Sequence, residues 1–147
     1  MDIAPATPAD LDDWARMRHA LWGDEASAED LRDEAAEALG APDTLVLIAR
    51  AADGSAAGFA EAAIRRDYVN GCDTSPVAFL EGIHVEPAHR RQGLASALVD
   101  GVAVWGRAQG CIEFASDALV EDVESHRFHA AAGFEETERV VYFRKAL

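Results

Sequence analysis

The stretch that most constrains the fold is a long apolar segment followed by a basic turn and an amphipathic helix. Residues 77–85 are mostly apolar, which predicts a buried strand. Glu86-Pro87 then predicts a turn. A helix is predicted from Gly93 to Gln109, because apolar residues recur there at helical spacing, namely Leu94, Leu98, Val102 and Trp105. A strand that leads through a turn into a helix is typical of a sheet covered by helices.

The remaining elements indicate one α/β domain. Turn signals such as Asp53-Gly54 and helix starts such as Thr7-Pro8 divide the chain into short elements. Strands are predicted at 2–6, 44–49, 57–65, 77–85, 111–115 and 140–143, and helices from 7, from 27 or 28, from 93 and from 122. Because strands alternate with helices in the second half, we predict a mixed α/β sheet with crossover helices in a single domain spanning 1–147.

The charge of the chain restricts its partners. The 147 residues include 27 acidic and 13 basic side chains, which gives a formal net charge of −14. Such a chain repels phosphate backbones, so we expect no nucleic acid partner. It attracts cations, including polyamine-like ligands, although an acidic surface that only keeps a protein in solution has the same composition.

No pattern in the sequence predicts export, a membrane span, a disulfide or a metal site. Residues 1–5 lack the basic start and apolar core of a signal peptide, and no apolar run reaches membrane-spanning length. Cys72 and Cys111 stand in no ligand spacing. His126 and His129 have no cysteine or acidic partner that would complete a metal site, so we interpret them as ordinary helix histidines, with catalytic use as the alternative. We expect a cytoplasmic protein without a membrane partner.

A basic segment, Arg90-Arg91-Gln92-Gly93-Leu94-Ala95, lies in the turn before the predicted helix. The start of a helix has unpaired N–H groups and the positive end of the helix dipole. Gly93 allows a phosphate to approach the backbone closely, and Arg90 and Arg91 add positive charge. These features predict a diphosphate-binding turn. The alternative is a plain helix start with solvated arginines.

Two carboxylates are candidates for catalysis. Glu81 stands in an otherwise apolar strand, where a carboxylate is costly unless it is paired, and the adjacent Gly82 permits a bulge. A carboxylate in such a position suits a general base. Asp117 follows the strand predicted at 111–115, and ligands gather at the carboxyl ends of strands in α/β sheets. The alternatives are a solvated Glu81 and an Asp117 that caps a turn.

The basic segment resembles the R/Q-x-x-G-x-G/A signature of the GCN5-related N-acetyltransferase (GNAT) family. Residues 86–90 are similar to the V-x-P-x-x-R sequence before that signature, and Ala132-Gly133-Phe134 resembles the x-G-F after its last helix. The resemblance implies a GNAT fold, an α/β domain whose mixed, centrally splayed sheet is flanked by about four helices. It also implies acetyl-CoA as co-substrate and no metal. The implied cofactor-binding residues are Ile83, His84, Val85, Arg91, Gln92, Gly93, Leu94, Ala95, Ser96 and Asp122.

A wider set of residues resembles the aminoglycoside 6'-N-acetyltransferases within that family. The matching segments are Trp22, 68–71, 74–77, 79–83, 114–117 and 135–138. The resemblance implies acetylation of the 6'-amino group of these cationic antibiotics by direct attack, which confers resistance. The implied catalytic residues are Glu81 and Asp117, and the implied substrate-binding residues are Trp22, Tyr68, Glu81, Asp117 and Glu138. Core packing is the alternative for Trp22, and a solvated strand face is the alternative for Glu138.

Some points stay open in the sequence. The family often has a tyrosine that protonates the leaving thiolate where this chain has His129, and an asparagine near the place of Asp122. A polyamine or another small amine is an alternative acceptor. A non-enzymatic CoA-binding module would need residues 90–95 but not Glu81 or Asp117. The resemblance also implies a homodimer, to which the apolar segment 140–143 contributes.

Overall fold

The computed structural model describes residues 1–147, which form five strands and four α-helices. The strands are β1 (Asp2–Pro5), β2 (Thr44–Arg50), β3 (Ala56–Arg65), β4 (Val77–Val85) and β5 (Phe114–Ser116). The helices are α1 (Leu11–Trp22), α2 (Ala28–Ala38), α3 (Leu94–Ala108) and α4 (Val123–Ala131). Short 3-10 helices at Pro8–Asp10 and Pro87–His89 come before α1 and α3.

The sheet is mixed, and its order follows the chain from β1 to β5. β1 to β4 pair antiparallel, whereas β5 is parallel to β4 and is reached through the crossover helix α3. Only residues 78–80 of β4 pair with β5, although β4 continues to Val85. The two strands therefore separate beyond Leu80, and we call this gap the fork. It is the splayed sheet that the resemblance implies.

The helices begin close to the predicted positions, and capping residues stabilise their starts. The N–H of Thr7 donates to the Asp10 carboxylate at 2.8 Å, before α1. The Ser27 hydroxyl accepts a hydrogen bond from the N–H of Asp30 at 3.1 Å and caps α2. Gly93 precedes α3 with a left-handed φ of 78°, which glycine adopts without strain. Local signals therefore determine where these helices begin.

Two predicted strands differ from the structure. β5 begins at Phe114 rather than at residue 111, because the N–H of Cys111 still bonds to the carbonyl of Gly106 in α3, at 3.0 Å. The strand predicted at 140–143 is wrong, since residues 134–147 form no regular structure. Tyr142 and Phe143 are 81% and 92% exposed. The apolar composition favours a strand, but no neighbouring strand completes its hydrogen bonds.

Apolar side chains cover both faces of the sheet. On one face, Leu98 and Val102 of α3 pack against the inward side chains of β2, β3 and β4. On the other face, Trp14 and Met17 of α1 pack with Phe59 of β3. All five are fully buried, and each contributes about 1.5–3 kcal/mol to stability by leaving water. None of the helices is long and apolar enough to cross a membrane.

A charged pair is buried between α1 and β3. Arg18 and Glu61 are 7% and 8% exposed, and Arg18 Nε donates to Glu61 Oε1 at 2.7 Å. Trp14 Nε1 donates to the same oxygen at 2.8 Å, and Arg18 Nη1 donates to the carbonyl of Leu31 at 2.7 Å. Burial alone would lower the pKa of Arg18, but its bonds to Glu61 raise it above the ordinary value. The pair thereby joins α1, α2 and the sheet.

Glu61→Ala is expected to lower the free energy of unfolding by about 3–5 kcal/mol, because it leaves the Arg18 guanidinium buried without its carboxylate. Urea unfolding followed by circular dichroism measures this change. Glu34→Ala is the matched control, since Glu34 also pairs with Arg18, at 3.0 Å, but is 56% exposed. Its loss should stay below about 1 kcal/mol. Equal losses in the two variants would contradict the role given to the buried pair.

Candidate functional site

The fork provides an open strand edge inside the sheet. Beyond Leu80, β4 pairs only with β3, through residues 82–85. The backbone groups on the other edge of this segment have no strand partner, because the pairing with β5 ends at Ser116. An extended ligand that carries amide groups can pair with such an edge. The edge includes the residues predicted to hold the cofactor by their backbone, Ile83, His84 and Val85.

Glu81 lies in a β-bulge where the fork begins. Glu61 of β3 pairs with Gly82 and Ala62 pairs with Leu80, so Glu81 has no residue opposite it. The bulge that Gly82 permits is therefore present. An extra residue in one strand locally bends that strand and changes the direction of its side chain.

Glu81 is solvated, as the alternative interpretation has it, although its strand is otherwise apolar. Its side chain is 35% exposed, because the bulge turns it away from the core. Arg65 Nη2 donates to both carboxylate oxygens of Glu81, at 2.8 Å each. The Arg65 guanidinium also lies over the ring of Phe79, with Cζ 3.5 Å from the centroid. Glu81 is thus an accessible carboxylate, held in place by an arginine that is itself held by an aromatic ring.

Trp22, at the end of α1, lies over the backbone of Gly82. A Cβ atom on Gly82 would overlap the indole ring, so glycine is required for this close approach. The indole meets the ring of Phe59 edge to face, with centroids 6.2 Å apart, and Arg18 Cζ lies 4.8 Å from its centroid. Trp22 therefore packs on the core, as the alternative interpretation has it, and also borders the strand segment that carries Glu81.

Tyr68 is on the loop formed by residues 66–76, which a carboxylate outside the loop holds in place. Glu113 Oε1 accepts hydrogen bonds from the N–H groups of Asp73 and Thr74, at 2.9 and 2.7 Å. The hydrogen bond from the Thr74 hydroxyl lowers the pKa of Glu113 below its ordinary value. Tyr68 itself is 77% exposed, so its ring is available to a ligand.

The two other predicted acceptor carboxylates are exposed. Thr137 packs directly against Gly71, which places the adjacent Glu138 beside the loop that carries Tyr68. Asp117 follows β5 directly, next to the fork. Unlike Glu81, Asp117 and Glu138 have no arginine partner. The structure brings Trp22 of α1 against Gly82, the neighbour of Glu81 in β4, while Asp117 and Glu138 lie on separate segments.

The basic turn forms a pocket of about 230 Å³ at the start of α3, lined by Val85, His89, Arg90, Arg91, Gly93, Leu94, Ala95 and Ser96. Arg91 and Gly93 both have left-handed φ angles, 61° and 78°, and such residues are typical of anion-binding turns. The first N–H groups of α3 have no acceptor inside the helix. Arg90 Nε donates to the carbonyl of Val85 at 2.9 Å, which links the turn to β4. Gln92 lies in the turn but does not line the pocket.

The His84 side chain faces α1, on the opposite side from the residues of β4 that pack on α3. Its ring lies 6.3 Å from that of Phe59, and its buried Nε2 has no hydrogen-bond partner. Burial lowers the pKa of His84 below its ordinary value, against the opposing charge of Glu86 at 3.7 Å. Arg16 of α1 forms an ion pair with Glu86. His84 therefore offers its backbone, not its imidazole, to the fork.

Helix α4 places His129 against β5. Asp122 caps α4 by accepting a hydrogen bond from the N–H of Ser125 at 3.1 Å, so its carboxylate has a structural use. His129 Nδ1 lies 2.7 Å from the carbonyl of Ser125, and Nε2 lies 2.8 Å from Ser116 Oγ. Ser116 Oγ also lies 3.4 Å from the carbonyl of Leu80. The interpretation of His129 as an ordinary helix histidine is therefore incomplete.

Sequence reasoning missed three residues that organise this region, namely Arg65, Glu113 and Ser116. Alternation along β3 was a usable signal for Arg65, but its pairing with Glu81 depends on the bulge. A lone glutamate inside the apolar segment 111–115 was the signal for Glu113. Nothing local distinguished Ser116. No group of three His, Cys, Asp or Glu side chains is arranged to hold a metal ion.

Comparison with known proteins identifies the family. The chain matches the model of the acetyltransferase (GNAT) family over residues 10–134. An aminoglycoside N(6')-acetyltransferase type 1 from Stenotrophomonas maltophilia is 50% identical over 145 residues, which cover 99% of this chain and 93% of that relative. A protein of the same name from Acinetobacter haemolyticus is 46% identical over 147 residues, covering 100% of this chain and 99% of the relative.

Solved structures of similar proteins support the same family. The apo crystal structure of the aminoglycoside 6'-N-acetyltransferase AAC(6')-IG from Acinetobacter haemolyticus has a TM-score of 0.95 at 46% identity, covering 100% of this chain and 99% of that one. The structure of AAC(6')-Iy in complex with the bisubstrate analogue CoA-S-monomethyl-acetylneamine has a TM-score of 0.92 at 45% identity. The match covers 99% of this chain and 98% of that one. The sequence match over most of the chain and the shared fold lead to one conclusion: the chain belongs to the GNAT family of acetyltransferases.

Proposed function

We propose that this protein transfers the acetyl group of acetyl-CoA to the 6'-amino group of aminoglycoside antibiotics and so confers resistance. The fork carries the proposal, because an open strand edge, an anion pocket and an accessible carboxylate all belong to β4 and the turn that follows it. Relatives that are 50% and 51% identical over at least 93% of this chain are named for this reaction. Acetylation removes a positive charge that the antibiotic presents to its target.

Acetyl-CoA fits the fork in one direction. Its pyrophosphate binds to the N–H groups of residues 91–96 at the start of α3, where the helix dipole and Arg90 favour negative charge. The amide groups of the pantetheine arm pair with the free edge of Ile83, His84 and Val85. The thioester then lies near Leu80, where the fork begins. The CoA-containing analogue bound to AAC(6')-Iy supports this proposal.

The acceptor binds from the side of α1 and the 66–76 loop. Glu81, Asp117 and Glu138 provide negative charge for a polycation, and Trp22 and Tyr68 provide aromatic faces. The net charge of −14 draws such a ligand toward the protein. A polyamine would meet the same carboxylates. The aminoglycoside is favoured because its rings suit the two aromatic walls and because the close relatives are named for it.

The reaction is a direct attack on the thioester. Glu81 accepts a proton from the 6'-ammonium group, directly or through water, and the neutral amine then attacks the carbonyl carbon. A backbone N–H of the 83–85 edge stabilises the oxyanion. The C–S bond breaks, and CoA leaves as a thiolate. Asp117 shares the positioning of the amine with Glu81, and the ion pair with Arg65 fixes the position of the Glu81 carboxylate.

A homodimer and a cytoplasmic location complete the proposal. Residues 139–147 are exposed and form no regular structure, and Tyr142 and Phe143 are among them. A groove of about 530 Å³ lies between α3, β5 and residues 132–134, and its apolar lining includes Ala103, Ile112 and Phe134. The terminal segment of a second copy suits this groove, since it would cover apolar surface on both partners. A cytoplasmic location agrees with the use of acetyl-CoA, an intracellular metabolite.

The acceptor is tested with two aminoglycosides that differ only at the 6' position. Neomycin carries an amine there and paromomycin a hydroxyl. We expect acetyl transfer to neomycin and at least about a hundredfold slower transfer to paromomycin, because a hydroxyl is the poorer nucleophile and the general base is placed for an amine. Release of free CoA thiol measures the rate, and mass spectrometry locates the acetyl group. Preferred turnover of spermidine, or equal rates for both antibiotics, would contradict the proposal.

Glu81→Gln is expected to lower kcat/KM for the aminoglycoside by roughly a hundredfold, because the amide cannot accept the proton. Asp117→Asn should act mainly on the KM of the acceptor, by removing one charge from its binding site. Glu124→Gln is the control, an exposed carboxylate on α4. Initial rates at several concentrations of each substrate separate these effects. An unchanged kcat/KM in the Glu81→Gln variant would show that Glu81 is not the general base.

The dimer is tested at the terminal segment. Replacing Val141 and Phe143 together by aspartate should convert a dimer into a monomer, because charged side chains cannot enter an apolar groove. Light scattering coupled to size-exclusion chromatography gives the mass. Val104→Asp is the control, since Val104 is 64% exposed on α3 but does not line the groove. A protein that is monomeric before any substitution would contradict the proposal.

A further inference from the structure

We propose that the hydroxyl of Ser116 delivers a proton to the departing CoA thiolate and that His129 supplies this proton through Ser116. The inference rests on the proposed function, since it requires acetyl-CoA in the fork. It assigns a catalytic role to Ser116, to which the resemblance over residues 114–117 gives no role, and it explains the two hydrogen bonds of His129.

The protonation pattern of His129 follows from its partners. A carbonyl oxygen only accepts hydrogen bonds, so Nδ1, which lies 2.7 Å from the carbonyl of Ser125, must carry a hydrogen. In the neutral ring, Nε2 is then an acceptor, and the Ser116 hydroxyl donates to it across 2.8 Å. The imidazole is thus held at both nitrogens, with Nε2 directed at β5.

The same atoms also suit the protonated ring. When His129 is charged, Nε2–H donates to Ser116 Oγ, and the hydroxyl hydrogen of Ser116 must turn elsewhere. The carbonyl of Leu80, 3.4 Å from Ser116 Oγ, is one acceptor. A negatively charged group in the fork is a better one. The pair therefore has two hydrogen-bonded states that differ by one proton, as a proton relay requires.

Ser116 and His129 lie where the proposed complex puts the leaving sulfur. Ser116 and Leu80 are the last residues paired between β5 and β4, so Ser116 Oγ lies where the fork begins. The thioester of the proposed complex lies at the same point. The rings of Phe128 and Phe134 flank the imidazole, with centroids 5.1 and 5.4 Å away, and limit the access of water to it.

The departure of CoA uses the proton that His129 supplies. Collapse of the tetrahedral intermediate breaks the C–S bond, and the electron pair stays on sulfur. The Ser116 hydroxyl gives its proton to sulfur and takes the Nε2 proton of His129, which leaves CoA as a thiol and the imidazole neutral. The nitrogen of the new amide loses its extra proton to solvent, because Glu81 already holds the proton of the 6'-ammonium group. A proton from solvent restores the charged His129 before the next turnover.

Single-turnover measurements test the relay with His129→Gln and Ser116→Ala. We expect each variant to slow acetyl transfer by roughly a hundredfold, which is typical of the loss of a general acid. The Kd for CoA, measured by calorimetry, should stay within about threefold of the parent value in both variants. Ser116→Thr keeps a hydroxyl and should retain most of the rate. The double variant should be no slower than either single variant, because both residues serve one proton path.

Controls separate this role from a structural one. His126→Gln changes a histidine of the same helix that bonds to the carbonyl of Leu119 and not to β5, and it should leave the rate unchanged. Thermal melting reports whether each variant is folded. Rates within about threefold of the parent in both single variants, or losses that multiply in the double variant, would overturn the relay. A parent protein that acetylates no amine would overturn the proposed function itself.

Discussion

The structure depends on one constraint, which is that β4 has two different environments along its length. Up to Leu80 it is paired on both edges, and beyond Leu80 it is paired only with β3. Backbone groups without a partner are costly when they are buried, so an open edge inside a sheet needs water or a ligand to satisfy it. The bulge at Glu81 stands at this transition. Strand pairing thus determines both where a cofactor can lie and where the carboxylate beside it points.

The wall next to Glu81 is coupled to the stability of the whole domain. Trp22 rests on Gly82, and Arg18, which lies over its ring, is held by Glu61 in the core. Glu61 pairs with Gly82 across the strands, so the buried ion pair and the bulge share a register position. The wall that we propose for the acceptor therefore gets its rigidity from the core. Rigid support of this kind keeps reacting groups within the narrow geometry that catalysis requires.

The parts that sequence reasoning predicted are those with local causes. Helix starts at Thr7, Ser27 and Gly93 follow from side chains within a few residues, and the basic turn follows from its own glycine and arginines. The environment of Glu81 did not follow, because the bulge and Arg65 belong to the pairing of β3 with β4. The segment 140–143 has the composition of a strand, yet a strand also needs a neighbour, which this chain alone does not supply.

In the proposed mechanism, the two proton transfers take place on opposite faces of the sheet. Arg65 contacts both Phe79 and Glu81, which puts Glu81 on the side that we propose for the acceptor. Phe114 packs on the apolar cluster beneath α3. Ser116 is two residues further along β5 and therefore points to the same face of the sheet, opposite to the face of Glu81. A base and an acid in direct contact would neutralise each other. Because β4 and the thioester lie between them, the amine can lose its proton on one face while the thiolate gains one on the other.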